Sequence, residues 1–482
     1  MPGEKGINNF FNQYFKQLGI YSITIILPAV LQLGYIPLFA HYFPPAEYGV
    51  IGLLLMTHGL LLLLFHCGFS YGAIKLIQDK QRPVGDIGFT LLLFITLWSG
   101  GLSAGFYFIA DLGSAWLFHS DRFRQALQWT IVFSFLAALF QMQQELWRAE
   151  SRVRAYTFGK VIYALGAFAL SVVFLVLSEN KIEGFWLARV VAAGGMVILN
   201  GIMSRQVQRG TFSREILASL WKYSFPLFAS GLCVWLLSYV DVFMLARLVN
   251  LDQSGLYKMA DELGLLVFAL YLIFEKSWPQ FIFSQWREAD FEAKTNNLVN
   301  FFLSVYLLAS LFFALFCPEI IGYLMPASYQ GLLTILPISI LGSFFYVLSQ
   351  IFSAGILVTS KTYFIPLGTI LAVIINIFLN FVLIPSYNIL GAVIASLLAN
   401  LVMVLFILII AQHLHKIRYA LGKTSLLVSL YIIFFGFAWG LNETAPIPFI
   451  VIRLSMLAVF IWVVDQLGMF PFYIFRKSTR AV

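Results

Sequence analysis

Along most of this chain polar residues do not alternate with apolar ones but interrupt them, once every twenty residues or so. An α-helix rises about 1.5 Å per residue, so roughly 20 apolar residues cross the ~30 Å hydrocarbon core of a bilayer. Runs of that kind occupy residues 20–41, 48–74, 86–110, 124–146, 158–178, 184–204, 219–247, 255–276, 297–317, 330–358, 364–384, 390–413, 424–441 and 447–468. They predict an all-α polytopic membrane protein with about 14 transmembrane helices. An even number leaves both chain ends on one side. Composition agrees: of 482 residues, 61% are hydrophobic and 11% charged, with mean hydropathy +0.88. Soluble domains run nearer half apolar and a quarter charged, which excludes a single water-soluble core and a disordered or collagen-like chain.

The 30 Lys and Arg exceed the 22 Asp and Glu. In a membrane protein such an excess is the basic bias of cytoplasmic loops rather than a nucleic-acid footprint. With the N-terminus inside, 23 basic residues fall in inner segments and only Arg122, Arg124, Lys181 and Arg247 in outer ones. Arg189, Lys258 and Arg453 lie within predicted spans. One missed helix would scramble that asymmetry, so both termini are expected in the cytoplasm. The expected organisation is an interfacial segment at 1–19 with Phe11, Tyr14, Phe15 and Leu18 on one helical face, then a six-helix bundle at 20–204. A linker at 205–218, a second six-helix bundle at 219–413, a helix pair at 424–468 and a basic tail at 469–482 complete it.

Two stretches at helix ends echo each other. Ala40–Gly49 and Leu248–Tyr257 each read as helix, short outer turn with an acidic residue, then glycine opening the next helix. Trp116–Gln125 and Tyr323–Leu332 echo one another a hairpin later. The two bundles therefore read as copies of one unit in the same orientation, an architecture in which transporter halves rock about a site between them.

An ionisable group facing hydrocarbon costs about 2.5–3.5 kcal/mol on insertion scales, so retained charges face a cavity or a partner. The densest set lies on the seventh and eighth spans, Asp241, Arg247, Lys258, Asp261 and Glu262. If the hairpin turns near residues 250–252, Asp241 and Asp261 lie at similar depth, about 15 Å below it. Lys258 stands three and four residues before Asp261 and Glu262, a spacing that allows local ion pairs. The set reads equally as a cavity lining for an anionic head group and as a self-neutralised lock between two helices. Lys75 after the second span and Arg189 early in the sixth are further cavity candidates. A cytoplasmic anchor and snorkelling to the outer interface, respectively, explain these two more simply, and snorkelling also fits Arg453. His58 and His66, two turns apart, read as bundle histidines before a proton relay, and Asn376 and Asn380 as bonds between helices. The three cysteines, Cys67, Cys233 and Cys317, have apolar surroundings and read as core residues. No P-loop, HExxH, paired CxxC, GxSxG or Rossmann glycine run occurs, so the chain is read as neither an ATPase nor an enzyme with a metal or nucleotide cofactor.

At the helix ends the residues resemble a known family. The segments Tyr42–Gly49, Trp221–Pro226, Ser238–Ala246 and Gly255–Tyr257, and above all Asn376–Ala395, resemble the O-antigen and polysaccharide flippases (Wzx-type) of the multidrug/oligosaccharidyl-lipid/polysaccharide exporter superfamily. The resemblance covers spans one to twelve; many members have only twelve. It implies a protein of the bacterial inner membrane that carries a polyprenyl-pyrophosphate-linked glycan to the outer leaflet by alternating access. It also implies a cationic cavity whose Arg or Lys meets the pyrophosphate, with Asp241 the charged position inside a matched segment. Membrane lipids are implied partners and no cofactor is. H+ or Na+ coupling and contact with the polysaccharide polymerase machinery stay open, and nucleic acid is not a partner. An ion-coupled drug or metabolite exporter on the same scaffold is the alternative, favoured by a net acidic cavity. A membrane glycan polymerase or ligase comes third, because such enzymes need sizeable outer loops. The topology is testable by cysteine labelling. A single cysteine at Lys181 should react with an impermeant maleimide in intact cells, and one at Arg287 only after permeabilisation; the reverse pattern would invert the orientation.

Overall fold

The structure, a computed structural model, describes residues 24, 26–79, 82–203, 210–440 and 446–469. Among these residues it is entirely helical, with 17 α-helices, two 3-10 turns and no strand. Nine of its helical stretches are long and apolar enough to cross a membrane. The apolar runs read from the sequence are mostly helical where described, with breaks inside them at Cys67–Gly68, Ile109, Phe316 and Ser353. The amphipathic lead-in around Phe11 and nearly all of the basic tail lie outside the described residues.

The chain forms two compact units, Met1–Phe243 and Met244–Val482. The first contains α1 (Ile26–Tyr42), α2 (Pro45–His66), α3 (Phe69–Gln78), α4 (Val84–Phe108), α5 (Ala110–Phe118), α6 (Arg124–Ala149), α7 (Val153–Leu177) and α8 (Lys181–Met203). Helix α9 (Arg214–Leu248) carries the boundary between the units. The second unit continues with α10 (Leu251–Gln285), α11 (Phe291–Leu315), α12 (Cys317–Leu324), α13 (Leu332–Phe352), α14 (Ala354–Val358), α15 (Phe364–Leu414), α16 (Leu421–Gly440) and α17 (Pro446–Gln466).

The helix order repeats at the places where the sequence echoes. Two residues join α1 to α2, and two join α9 to α10. The same turn is built by different chemistry. Before α2, Pro45 occupies the first helical turn, where its missing N–H is no loss. Before α10, the Asn250 side chain accepts from the Gln253 N–H at 2.9 Å and caps the helix. At the second echo each half inserts a short helix and a 3-10 turn, α5 with Asp121–Phe123 and α12 with Ala327–Tyr329. In the first half, Arg124 pairs with Asp111 at 2.9 Å across that insertion.

Within the bilayer no hydrophobic force draws helix to helix, so small residues and polar bonds hold the bundle. On α3, Gly72 lets α9 approach so closely that a Cβ there would lie 2.6 Å from Ser224 Oγ. The Trp235 indole N–H of α9 donates to the Met56 carbonyl of α2 at 3.0 Å. Helix α15 runs over 51 residues but is broken at Asn388, whose φ of 51° and ψ of −131° are not helical. There the chain doubles back. Asn376 Nδ2 donates to Ser396 Oγ at 3.0 Å, whereas 20 residues of straight helix would hold them about 30 Å apart. The two arms are the hairpin expected at 364–384 and 390–413.

The polar stretch 284–296 lies mostly in the ends of α10 and α11, and only five residues separate them. Asn296 then reaches from α11 to the turn before α16, accepting from the Ala420 N–H at 3.0 Å. Arg453 does not snorkel. Its guanidinium, 7% exposed, pairs with Glu319 of α12, because packing α17 beside the second unit brings a carboxylate closer than the head groups. Tyr431 of α16 donates its hydroxyl to the Pro337 carbonyl at 3.1 Å, and Lys423 Nζ donates to the Leu467 carbonyl at 2.6 Å. The terminal helix pair is thus bonded to α12 and α13 and belongs to the second unit. Removing one partner of a buried ion pair costs about 3–5 kcal/mol, whereas replacing both by apolar groups is often neutral. Glu319→Leu should therefore lower the melting temperature in detergent clearly, and Glu319→Leu with Arg453→Leu should recover most of the loss. Equal melting of the single variant and the wild type would remove the pair as a clamp.

Candidate functional site

Helix α2 packs along α6, the central helix of the first unit, and more lightly on α4. Its two histidines are both spent on α6, as bundle histidines should be. His66 Nε2 bonds the Ala138 carbonyl at 3.0 Å; a carbonyl only accepts, so this nitrogen carries the proton. His58 Nδ1 lies 2.9 Å from Ser134 Oγ. That hydroxyl donates its one proton to the Thr130 carbonyl at 2.7 Å, so His58 Nδ1 must be the donor to Ser134. The assignment leaves the lone pair of His58 on Nε2.

Arg189 stands eight residues into α8, about 12 Å along the helix. Its guanidinium lies 4.3 Å from the centroid of the Phe185 ring and 5.9 Å from those of Trp186 and Phe133. Phe185 in turn meets Phe39 of α1 edge-on at 5.1 Å. The His58 ring shares two of these neighbours, 4.6 Å from Phe133 and 6.4 Å from Trp186. The Nε of Arg189 is buried without a hydrogen-bond partner, and Arg189 has no carboxylate within ion-pair distance among the described residues. Both Arg189 and His58 keep some accessible surface. Rings can hold a guanidinium by cation–π attraction worth about 0.5–2 kcal/mol each, but they do not neutralise it. Arg189 thus keeps a positive charge about 12 Å along its helix that only rings answer among the described residues.

The charge set of the seventh and eighth spans divides between the units, Asp241 in the first and Arg247, Lys258, Asp261 and Glu262 in the second. Asp241 is buried at 3% exposure. Lys258 Nζ lies 3.0 Å from Glu262 and 3.8 Å from Asp261, the local pairs that the i, i+3 and i, i+4 spacing allows. The lysine side chain is 11% exposed and that of Glu262 is 17%. Lys258 is therefore neutralised within its own helix. Lys75 is exposed at the end of α3, with its Nζ 4.4 Å over the Tyr223 ring of α9. In the second unit Asn380 Nδ2 donates to Asn376 Oδ1 at 3.1 Å, and Tyr257 Oη lies 3.3 Å from Ser396 Oγ. This polar seam ties the α15 hairpin to α10, the bonding role expected of the asparagines.

Two features were hidden in the sequence. Lys160, counted there with the cytoplasmic loop, lies inside α7, with its Nζ 5.5 Å over the Phe140 ring. Gln144 and Asn200 are fully buried on α6 and α8 with both amide atoms of each unpaired among the described residues. A carboxamide in the middle of an apolar run was the available signal. Outside the spans, burial holds the Glu150 carboxyl above the usual carboxylate range, and the Arg152 guanidinium 3.4 Å away opposes that rise. The cysteines are free thiols, as expected, with Cys67 and Cys317 buried. No group of three or more metal-ligating side chains occurs among the described residues.

Known proteins place this architecture. The sequence profile of a family described as "Polysaccharide biosynthesis protein" matches residues 15–278, more than half of the chain. No curated protein matches it in sequence. Among solved structures it is similar to the lipid II flippase MurJ in an inward closed conformation, with a TM-score of 0.72 at 15% identity over 93% of this chain and 98% of that one. It is also similar to an inward-facing multidrug resistance MATE family transporter of the MOP superfamily, with a TM-score of 0.66 at 13% identity over 85% and 99% of the two chains. A third is a MOP superfamily transporter from Pyrococcus furiosus, TM-score 0.59 at 13% identity over 86% and 96%. At such identities the likeness is one of fold. The chain belongs to the polysaccharide biosynthesis protein family, as a multi-pass membrane protein whose fold is like that of these MOP-type proteins.

Proposed function

We propose that this protein is a flippase that carries a polyprenyl-pyrophosphate-linked oligosaccharide from the cytoplasmic to the outer leaflet of a bacterial inner membrane, for O-antigen or exopolysaccharide synthesis. Its 14 spans form two related six-helix bundles and a terminal pair, both termini are cytoplasmic, and the cycle is alternating access. The family description and the MOP-type fold support the class of function. The observation that carries the substrate is Arg189, an uncompensated cation two turns inside a membrane helix.

The physics fits a lipid-linked anion. The polyprenyl tail can remain in hydrocarbon while its head group crosses a polar path, so only charge and sugar need protein contacts. A guanidinium offers planar, paired donors to phosphate oxygens. Each negative charge driven outward across an inside-negative membrane gains about 2.3 kcal/mol per 100 mV, so the step can draw on the membrane potential without ATP. The drug-exporter alternative gains nothing from an unpaired arginine, because it would repel a cationic substrate. Of the other candidates, Asp241, Arg247, Asp261, Glu262 and Lys75 are proposed as polar lining of the path, and Lys258 as the internal counter-ion of Glu262.

Reconstituted into proteoliposomes with a fluorescent polyprenyl-pyrophosphate-linked oligosaccharide, the wild type should expose the glycan to the outer solution. Arg189→Ala should slow this by about tenfold or more at equal protein incorporation, and Arg189→Lys should keep part of the rate. Unchanged flipping by Arg189→Ala would overturn the assignment. For the second unit, Lys258→Met leaves Glu262 without its ammonium group and should destabilise by about 3 kcal/mol. Lys258→Met with Glu262→Gln should restore both melting temperature and flipping. Restored melting without restored flipping would instead make Lys258 part of the transport path.

A further inference from the structure

We propose that His58 is a proton-binding site linked to the anion on Arg189, so that the substrate enters the first unit together with a proton taken from water. This rests on the assignment of Arg189 as the anion site.

The geometry sets the linkage. His58 and Arg189 come from different helices, α2 and α8, yet face the same two rings, Phe133 and Trp186. Ser134 fixes the histidine tautomer by accepting from Nδ1 while its own proton is committed to Thr130. The open lone pair therefore sits on Nε2, which has no hydrogen-bond partner among the described residues, and His58 is half-buried. Protonating Nε2 in the empty site would place a second cation on rings already holding a guanidinium. A pyrophosphate on Arg189 reverses the local field, and the same proton then neutralises part of the incoming charge. Anion and proton therefore bind with positive coupling, and by linkage each tightens the other equally.

The other ionisable groups around His58 do not substitute for it. On α2 itself, His66 lies two turns away with its N–H on the Ala138 carbonyl. Helix α4 brings only Asp86 and Tyr107, near its two ends, and Asp86 accepts from the Thr211 backbone N–H at 2.7 Å. Helix α6 carries Arg124 near its start and the Glu145–Arg148 pair in its last turns. Helix α8 adds Lys181 and Glu183 in its first turn, and α9 meets α2 at Gly59 through Trp235 and Tyr239, one turn before the buried Asp241. Helix α7 contributes Lys160 and Tyr163, both beside Phe140 rather than Phe133. Among these, only His58 combines contact with the arginine's rings and an imidazole nitrogen that its fixed tautomer leaves open.

The test measures proton uptake on binding geranylgeranyl pyrophosphate, by calorimetry of the purified full-length protein in buffers of different ionisation enthalpy. His58→Asn keeps an N–H positioned for Ser134 but removes the titrating nitrogen. The wild type should take up about one proton more than His58→Asn, and its affinity should rise with falling pH more steeply, by at most about tenfold per pH unit for one linked proton. Should His58→Asn fold poorly, histidine-selective ¹⁵N NMR of the wild type reads the same event; the Nε2 resonance should move to the protonated position when the probe is added at constant pH. Equal proton uptake by the two proteins, while Arg189→Ala still loses the probe, would overturn this proposal alone. Undiminished binding by Arg189→Ala would overturn the anion site, and this inference with it.

Discussion

A charge in hydrocarbon has to be answered, and the structure is organised by how each one is answered. Burying an ion costs several kcal/mol even after relaxation, and Lys258, Arg453 and Arg189 each meet either a counter-ion or a face of aromatic rings. Lys258 meets Glu262 along its own helix, and Arg453 meets Glu319 across two helices. Arg189 meets rings alone. The first two arrangements are complete, and they fasten elements that already pack. The third is stable enough to persist but incomplete in charge, and that is what suits it to a transient anionic partner.

The same principle separates the two ends of the molecule. In the second unit several polar groups bond within or between helix arms: Asn376 with Ser396 and with Asn380, Tyr431 with the Pro337 carbonyl, and Arg453 with Glu319. These bonds make the hairpin at Asn388 and the terminal pair fixed parts of one body. In the first unit the polar groups are left less satisfied, with Gln144, Asn200 and the Nε of Arg189 buried and unpaired. An unpaired buried amide costs about 1–3 kcal/mol, which a bundle tolerates where water or ligand completes the bonds in use.

Most of the fold was legible because membrane helices announce themselves by length. The runs of about twenty apolar residues fell where helices form, and the echoing turns at Ala40–Gly49 and Leu248–Tyr257 marked equivalent two-residue connections. The polar stretch 284–296 continues α10 and α11 past their apolar runs, because charged residues extend a helix readily once it leaves the bilayer. The site was less legible. Spacing revealed the Lys258 pairs, because i, i+3 and i, i+4 neighbours meet on any helix. It could not reveal that Arg453 has a carboxylate 134 positions earlier in the chain, or that Arg189 has none. Both arginines fall early in an apolar span and look alike in sequence. What separates them is tertiary: α12 supplies Glu319 to one, while α6 and α8 supply only rings to the other.

The most direct measurement of the central claim is an electron cryomicroscopy structure of the protein in nanodiscs with a polyprenyl-pyrophosphate-linked oligosaccharide bound. The account predicts phosphate oxygens at hydrogen-bond distance from the Arg189 guanidinium, about 2.7–3.0 Å. A pyrophosphate resolved on other cations, with Arg189 still held only by its rings, would contradict it.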